Sequence, residues 1–444
     1  MKRTTGLIAF AAFLLTASVD ASTESLDAAA RTEIAEALAQ KLASSYAVAE
    51  AGEKMAQAVR SKLAAGAYDR IDSPEEFARA LHADARSVVD DRHLRVFFDP
   101  GRATSPATPA QPAGPPPGMP EARHGAIGRL QVLPGNVGYM EVSGVPTGAT
   151  AAIDAAFAYL RNTDALIVDL RGNGGGAPQT VAYYMSYLSE GAPYTVIRVH
   201  DRQRGVFETK TTDLGDRAYG AKKPLYVLTS KVTFSGGEEF AYDVQAFKRG
   251  VIVGETSGGG ANPGGLQPLG RGFAAFVPSG LVKHPVTGGN WEGVGVKPDV
   301  AVDPDLALLE AHRLAAESLA ATISDAGEAE MLRALAASLA ERRKSTNAAS
   351  TTALTKAQKQ LVGRYTPVAG SGPTFQVTEK EGHLMLQPGM RPPSRLELVS
   401  AGTYRMVGLP DDFIATFISG PADKRRLLVQ QSNALPPLLL EQRP

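Results

Sequence analysis

The sequence predicts an α/β protein built from three units: a helical N-terminal subdomain over residues 22–99, an α/β core with a mostly parallel sheet over 126–325, and a small C-terminal antiparallel β domain over 357–444. Three observations carry that expectation. The chain has 444 residues, more than one hydrophobic core usually serves, and its composition of 43% hydrophobic and 21% charged residues is ordinary for a folded protein. Between Asn136 and Gly254, short continuous apolar runs alternate with helical stretches, the pattern of strands covered on both faces. Beyond about Leu361, short strand-like runs punctuated by turn residues replace that alternation.

At the N-terminus, Lys2 and Arg3 precede an apolar stretch from Leu7 to Val19, and Val19-Asp20-Ala21 supplies small residues at a cleavage site. This pattern predicts a signal peptide over residues 1–21, cleaved after Ala21, and a periplasmic or secreted protein. The stretch is shorter than the ~20 apolar residues of a membrane span, and no second run of that length follows. Lys+Arg and Asp+Glu both number 46, so no excess positive charge invites nucleic acid or an anionic membrane. The chain has no cysteine, which excludes a thiol nucleophile, a thiolate metal site and disulfides.

Residues 24 to about 90 are rich in Ala and Leu with interspersed charge. Ser73-Pro74-Glu75-Glu76 reads as a capped helix start leading to Phe77, Leu81 and Val88. A strand-like run, Leu94 to Phe98, follows. Residues 100–125 form a Pro-rich linker, with eight prolines between positions 100 and 121. In the core, strands are expected at Val137–Val142, Ala165–Leu170, Tyr194–Val199, Leu225–Thr229 and Val251–Gly254, and helices at Ala151–Leu160, Thr180–Leu188 and Ser235–Phe247. A helix after Asp303-Pro304 leads into a helical connector over 326–356, and six short strands are expected between Phe375 and Gln430.

Two glycine-rich corners stand at the carboxyl ends of buried strands, where open α/β sheets place their ligands. One is Arg171-Gly172-Asn173-Gly174-Gly175-Gly176, whose N–H groups suit an oxyanion hole, an anion site or a plain tight turn. The other is Ser235-Gly236-Gly237-Glu238, which puts a hydroxyl at a helix N-terminus. There Ser235 reads either as a nucleophile or as an N-cap with Glu238 as its capping-box partner. Gly254-Glu255-Thr256 through Asn262 and Asn290-Trp291-Glu292 through Asp299 complete the set.

Taken in this order, Gly138-Tyr139-Met140, Asp169-Leu170-Arg171-Gly172-Asn173-Gly174-Gly175, Ser235-Gly236-Gly237-Glu238, Gly254-Glu255-Thr256 and Gly295-Val296-Lys297-Pro298-Asp299 resemble the tail-specific (carboxyl-terminal processing) serine peptidase superfamily of the S41 type. The resemblance covers roughly residues 24 to 320 and implies a crotonase/ClpP-like α/β fold. One branch of the superfamily uses a Lys base, but no Lys lies between Lys248 and Lys283, and Gly260 stands at the matching position. That branch also carries a PDZ domain, for which the stretch between Asp99 and Val137 is too short. The sequence is closer to the retinoid-binding-protein/tricorn-core-like branch without a PDZ domain, through Asp91-Arg92-His93 and through Glu292 ahead of Gly295-Val296-Lys297-Pro298-Asp299.

The resemblance implies Ser235 as nucleophile, His93 as base and Glu292 as its partner. It also implies Gly236, Gly174 and Gly175 as oxyanion donors and Gly176, Gly259 and Gly260 as substrate-binding positions. Arg92 stands where tricorn has a Ser linking the Glu to the His. The implied reaction is acyl transfer on a peptide or protein substrate and needs no cofactor or metal. The alternative is a non-catalytic module binding hydrophobic ligands or peptides on the same fold, since fold alone does not fix function.

Overall fold

The computed structural model describes residues 26–100, 123–346 and 354–443, except 369–372, 390, 401, 421–423, 434 and 436. The expected leader and most of the Pro-rich linker lie outside the described residues.

The core is a six-stranded sheet. Its strands are β2 (Ile127–Leu133), β3 (Val137–Val142), β4 (Ala165–Asp169), β7 (Leu225–Thr229), β8 (Val251–Gly254) and β12 (Val300–Ala301), in the order β12-β8-β7-β4-β3-β2. All neighbours pair in parallel except β2 with β3. Every residue of β3, β4 and β7 is buried, which is why these strands read as mostly apolar runs. One face is covered by α4 (Thr150–Leu160), α5 (Pro178–Tyr187) and α6 (Gly236–Ala246), through side chains such as Ile153, Phe157, Tyr184 and Phe240. The other face is covered by α7 (Ala307–Thr322) and α8 (Ala326–Thr346). The segment expected as a connector therefore belongs to the core layer: Leu332 and Ala336 of α8 are buried in the cluster that contains Ala311 and Ala315 of α7.

Two antiparallel sheets flank this core. The strands β5 (Thr195–Asp201), β6 (Gly205–Lys210) and β11 (Gly280–Lys283) form the first, in the order β11-β5-β6. The second joins β1 (Arg95–Phe98) to β10 (Phe273–Pro278) and β9 (Gly264–Gly270), with Val96 opposite Ala275. It packs on the N-terminal helices α1 (Ala28–Ser45), α2 (Ala49–Ala64) and α3 (Pro74–Arg86), where Leu38, Leu42, Met55, Phe77 and Phe273 share one buried cluster. Ser73 Oγ accepts the Glu76 N–H at the start of α3, and Pro74 takes the first helical position. The strands β2, β6, β9, β10, β11 and β12 were not anticipated from sequence; the interrupted, half-exposed patterns of β6, β9 and β11 carry little periodic signal.

After the short helix α9 (Lys356–Lys359), eight strands close an antiparallel barrel: β13 (Gly363–Pro367), β14 (Phe375–Lys380), β15 (His383–Pro388), β16 (Ser394–Ser400), β17 (Thr403–Met406), β18 (Phe413–Ser419), β19 (Arg425–Gln431) and β20 (Leu438–Arg443). The six expected strands are its middle six. The remaining two, β13 and β20, pair with each other and remove the free edges. The barrel docks against the core beside the first glycine corner. Phe413 packs on Gly172, where a Cβ would collide with its ring, Asp305 accepts the Gly408 N–H, and Val232 joins the barrel's apolar cluster.

Candidate active site

Strands β4, β7 and β8 run parallel and end together at Asp169, Thr229 and Gly254, so the loops that follow them converge on one edge. After β4, the buried Arg171 guanidinium grips Asp169 at 2.6–3.1 Å and donates to the Pro304 carbonyl, while Tyr139 donates to Asp169. Asn173 is fully buried. Its amide donates to the Val142 carbonyl, and its backbone carbonyl accepts the Phe234 N–H at 2.9 Å. The first corner thus holds the second in place.

Ser235 lies between β7 and α6 with φ 53° and ψ −122°. A non-glycine residue at positive φ costs about 1–3 kcal/mol and persists where its surroundings impose it. Here Glu238 imposes it. Burial pushes this carboxyl up to about 7, against the pull of four donors. Oε2 accepts the N–H groups of Ser235 (2.9 Å) and Gly260 (2.8 Å), and Oε1 accepts the Ser257 hydroxyl (2.5 Å) and the Gly259 N–H (2.6 Å). Glu238 therefore ties the serine corner to the loop after β8, a reach beyond the N-terminal capping its spacing suggests. Gly259 and Gly260, expected as substrate-binding positions, both donate their N–H groups to it. Gly260 has a second constraint: a Cβ there would overlap Phe234 and lie 2.9 Å from His93 Cε1.

His93 comes from the turn between α3 and β1, and its Nε2 lies 3.0 Å from Ser235 Oγ. The ring sits between Phe234 and Phe276, at centroid distances of 4.7 and 5.9 Å. Burial, with a smaller contribution from the Arg95 charge, pushes its pKa down to about 3. Asp91, 1% exposed, holds the turn. Its carboxylate accepts the His93 and Leu94 N–H groups, the Tyr46 hydroxyl and the Asn262 amide. The sequence marks Asp91 only through its spacing to His93, Asn262 only as the end of the glycine-rich cluster after Gly254, and Tyr46 not at all.

Glu292 lies close by without a hydrogen bond to the imidazole. Oε2 accepts the N–H groups of Ala261 (2.6 Å) and Asn262 (3.0 Å), and Oε1 accepts the Arg92 N–H (3.3 Å). The backbone of Arg92 thus links it to the His93 turn, and the Arg92 side chain reaches the Gly258 carbonyl instead. Burial raises the Glu292 pKa, and Asp91 raises it further. Among the described residues His93 Nδ1 and Asn262 Oδ1 are buried without partners. One ligand atom each from Asp91, His93 and Glu292 falls within 4.8 Å of the others, a spacing that could hold a cation. The carboxylate oxygens there are already committed to N–H and O–H donors.

The oxyanion donors divide differently from expectation. Gly175 donates its N–H to Asn173 Oδ1 (2.8 Å) and Gly174 donates to the Ser143 carbonyl (3.3 Å), so neither is available. Among the described residues the N–H groups of Gly176 and Gly236 have no acceptor. They are neighbours, since a Cβ on Gly236 would lie 3.1 Å from Gly176 N. Gly175 brings this pair against the serine: a Cβ there would meet Ser235 Cβ at 2.6 Å.

Two family models match stretches of this chain. The family model described as "Peptidase family S41" matches residues 136–302, and that of the "N-terminal domain of Peptidase_S41 in eukaryotic IRBP" matches residues 27–127. The chain is 30% identical over 180 residues to carboxyl-terminal-processing peptidase 2, chloroplastic, of Arabidopsis thaliana, covering 38% of this chain and 34% of that protein. It is 29% identical over 127 residues to the tail-specific protease of Haemophilus influenzae, covering 28% of this chain and 17% of that one. The chain spans between a sixth and two fifths of the length of the curated relatives it matches. Among solved structures, the photosystem II D1 C-terminal processing protease aligns with a TM-score of 0.42 at 17% identity, over 62% of this chain and 94% of that one. The tricorn protease aligns with a TM-score of 0.42 at 12% identity, over 70% of this chain and 37% of that one. Residues 136–302 thus match peptidase family S41, and residues 27–127 match an N-terminal domain found in that family.

Proposed function

We propose that this protein is an exported serine peptidase that cleaves peptide bonds through an acyl-enzyme, with Ser235 as nucleophile and His93 as base. The observation that carries the reading is the 3.0 Å approach of His93 Nε2 to a Ser235 hydroxyl held at a strained strand-to-helix corner. His93, with its depressed pKa, is neutral at physiological pH and free to take the Oγ proton as Ser235 attacks the peptide carbonyl. The Gly236 and Gly176 N–H groups face the developing oxyanion, where one donor contributes about 3 kcal/mol of transition-state stabilisation. His93 then returns the proton to the leaving amine, and a water molecule hydrolyses the ester.

In this scheme Glu292 positions the His93 turn through the Arg92 N–H and offsets the charge of the imidazolium. Export rests on the Lys2 to Ala21 pattern alone. The test is labelling with a fluorophosphonate probe, beside Ser235→Ala and His93→Ala variants, together with casein digestion. Wild-type labelling that is lost in both variants supports the reading. A folded wild type that neither labels nor digests casein overturns it.

A further inference from the structure

The first glycine corner is a thin layer between two neighbours. On one side, a Cβ at Gly175 would meet Ser235 Cβ and the Phe234 carbonyl, and one at Gly176 would meet the Val145 carbonyl. On the other side stands the barrel. Among the described residues, the three atoms nearest a Cβ at Gly172 all belong to the Phe413 ring, and the three nearest a Cβ at Gly174 all belong to the Arg391 guanidinium. Neither Gly172 nor Gly174 has a positive φ, so what excludes a side chain at both places is the barrel itself.

Further ties join the barrel to the same loops. Ser432 follows β19, is fully buried and has φ 141°, a conformation that side chains rarely adopt and that its surroundings must impose. Its hydroxyl accepts from Ser143 Oγ at 2.6 Å and donates to Glu141 Oε1 at 3.1 Å, and the Ser143 carbonyl takes the Gly174 N–H. Arg405 reaches Asp305 at 2.9 Å, next to the Pro304 whose carbonyl accepts from Arg171. Val232, just ahead of Ser235, is buried in the barrel's own apolar cluster. The barrel therefore touches both corners, the one that supplies the Gly176 N–H and the one that carries Ser235 and the Gly236 N–H.

A run of glycines has no side chains with which to bury itself, so its order comes from what packs on it. We propose that Phe413 is a positioning residue for the peptidase reaction. Through Gly172 it presses the first corner onto the serine corner and sets where the Gly176 N–H stands beside that of Gly236. The barrel is then part of the frame of the active site, although Phe413 touches none of the reacting atoms. The inference rests on the peptidase reading above. Loss of the ring acts on transition-state stabilisation, because Ser235 and His93 keep their own supports in Glu238 and Asp91.

The test uses the full-length protein and a rhodamine-tagged fluorophosphonate, whose phosphoryl oxygen takes the oxyanion position when Ser235 attacks. Labelling at a series of probe concentrations separates the saturating rate, kinact, from the binding constant, KI. Phe413→Ala should lower kinact about tenfold or more, since a misplacement on the order of 1 Å is enough for that. KI and the acid limb of the pH profile should stay as in the wild type. Phe413→Leu keeps part of the apolar volume and should retain part of the rate; if Phe413→Ala does not fold by circular dichroism, this variant carries the comparison. Gly172→Ala should slow labelling of the otherwise wild-type protein, where its methyl meets the ring, and should cost less beside Phe413→Ala. A purely structural role would lower the melting temperature and leave kinact of the folded protein unchanged, which overturns the inference. A loss confined to KI, a shifted acid limb, or costs of Gly172→Ala and Phe413→Ala that simply add would overturn it too. A wild type that does not label at all overturns the peptidase reading and this inference with it, so the wild-type measurement tells the two failures apart.

Discussion

At a pH well above 7, where the Glu238 carboxyl is ionised, its replacement by Gln isolates the role of the charge, because the side chain keeps its shape and loses only one acceptor. In the structure each carboxylate oxygen serves two donors. The cheaper orientation of the amide puts its NH2 toward Ser257 and Gly259. The Ser257 hydroxyl can rotate to accept, while the Gly259 N–H faces a donor. One orphaned buried N–H costs about 1–3 kcal/mol, and the bonds that lose their charge assistance bring the loss to about 2–4 kcal/mol. For a unit the size of the core that lowers the melting temperature by about 5–15 °C. Glu238→Ala orphans three N–H groups, a loss of about 3–9 kcal/mol, comparable to the ~5–15 kcal/mol stability of a typical domain. The Gln variant is thus the informative one. Thermal unfolding by circular dichroism and the rate of fluorophosphonate labelling read the two consequences, stability and the posture of Ser235. A Glu238→Gln protein that melts and labels like the wild type would refute the argument that this carboxylate holds the serine corner.

Three further outcomes are expected. Because His93 is pushed down to about 3, the acid limb of kcat/KM should fall well below the pH of about 6.5 set by an ordinary imidazole; a limb at 6.5 would contradict its burial. Gly260→Ala should displace Phe234 and the His93 ring, cutting labelling by about a hundredfold while the protein stays folded, since a misplacement on the order of 1 Å has that effect. Glu141, pushed up to about 8 first by burial and then by Asp412 and Asp169, holds its proton in the native state where the unfolded chain has released it. Its raised pKa makes stability fall as pH rises from about 4.5 to 8, so the melting temperature of Glu141→Gln should fall less across that window than that of the wild type.

Local chemistry explains what could be read in advance. The strands at Ala165–Asp169 and Leu225–Thr229 are apolar up to their last residue because both faces are covered, and the start of α3 follows from Ser73, Pro74 and Glu76 within one turn. The glycine corners at Gly175–Gly176 and Gly236 stand out because few other residues tolerate so close a backbone approach. The barrel was legible as short strands, but β20 escaped notice: Leu438, Leu439 and Leu440 run together and hide the alternation of a half-buried strand.

What only the tertiary structure decided are relations between residues far apart in the chain, which no local spacing encodes. His93 meets Ser235 across 142 positions because β1 pairs with β10 and carries the turn to the edge of the sheet. The division of the glycine N–H groups, with Gly174 and Gly175 engaged and Gly176 and Gly236 open, depends on where Ser143 and Asn173 sit. The approach of Arg391 to Gly174 depends on a barrel whose contacts with the core are all long-range. The residue types and their local conformations were written in the sequence, because capping, periodicity and glycine geometry act over a few residues. Which donors and charges face one another was set only when the separate layers packed.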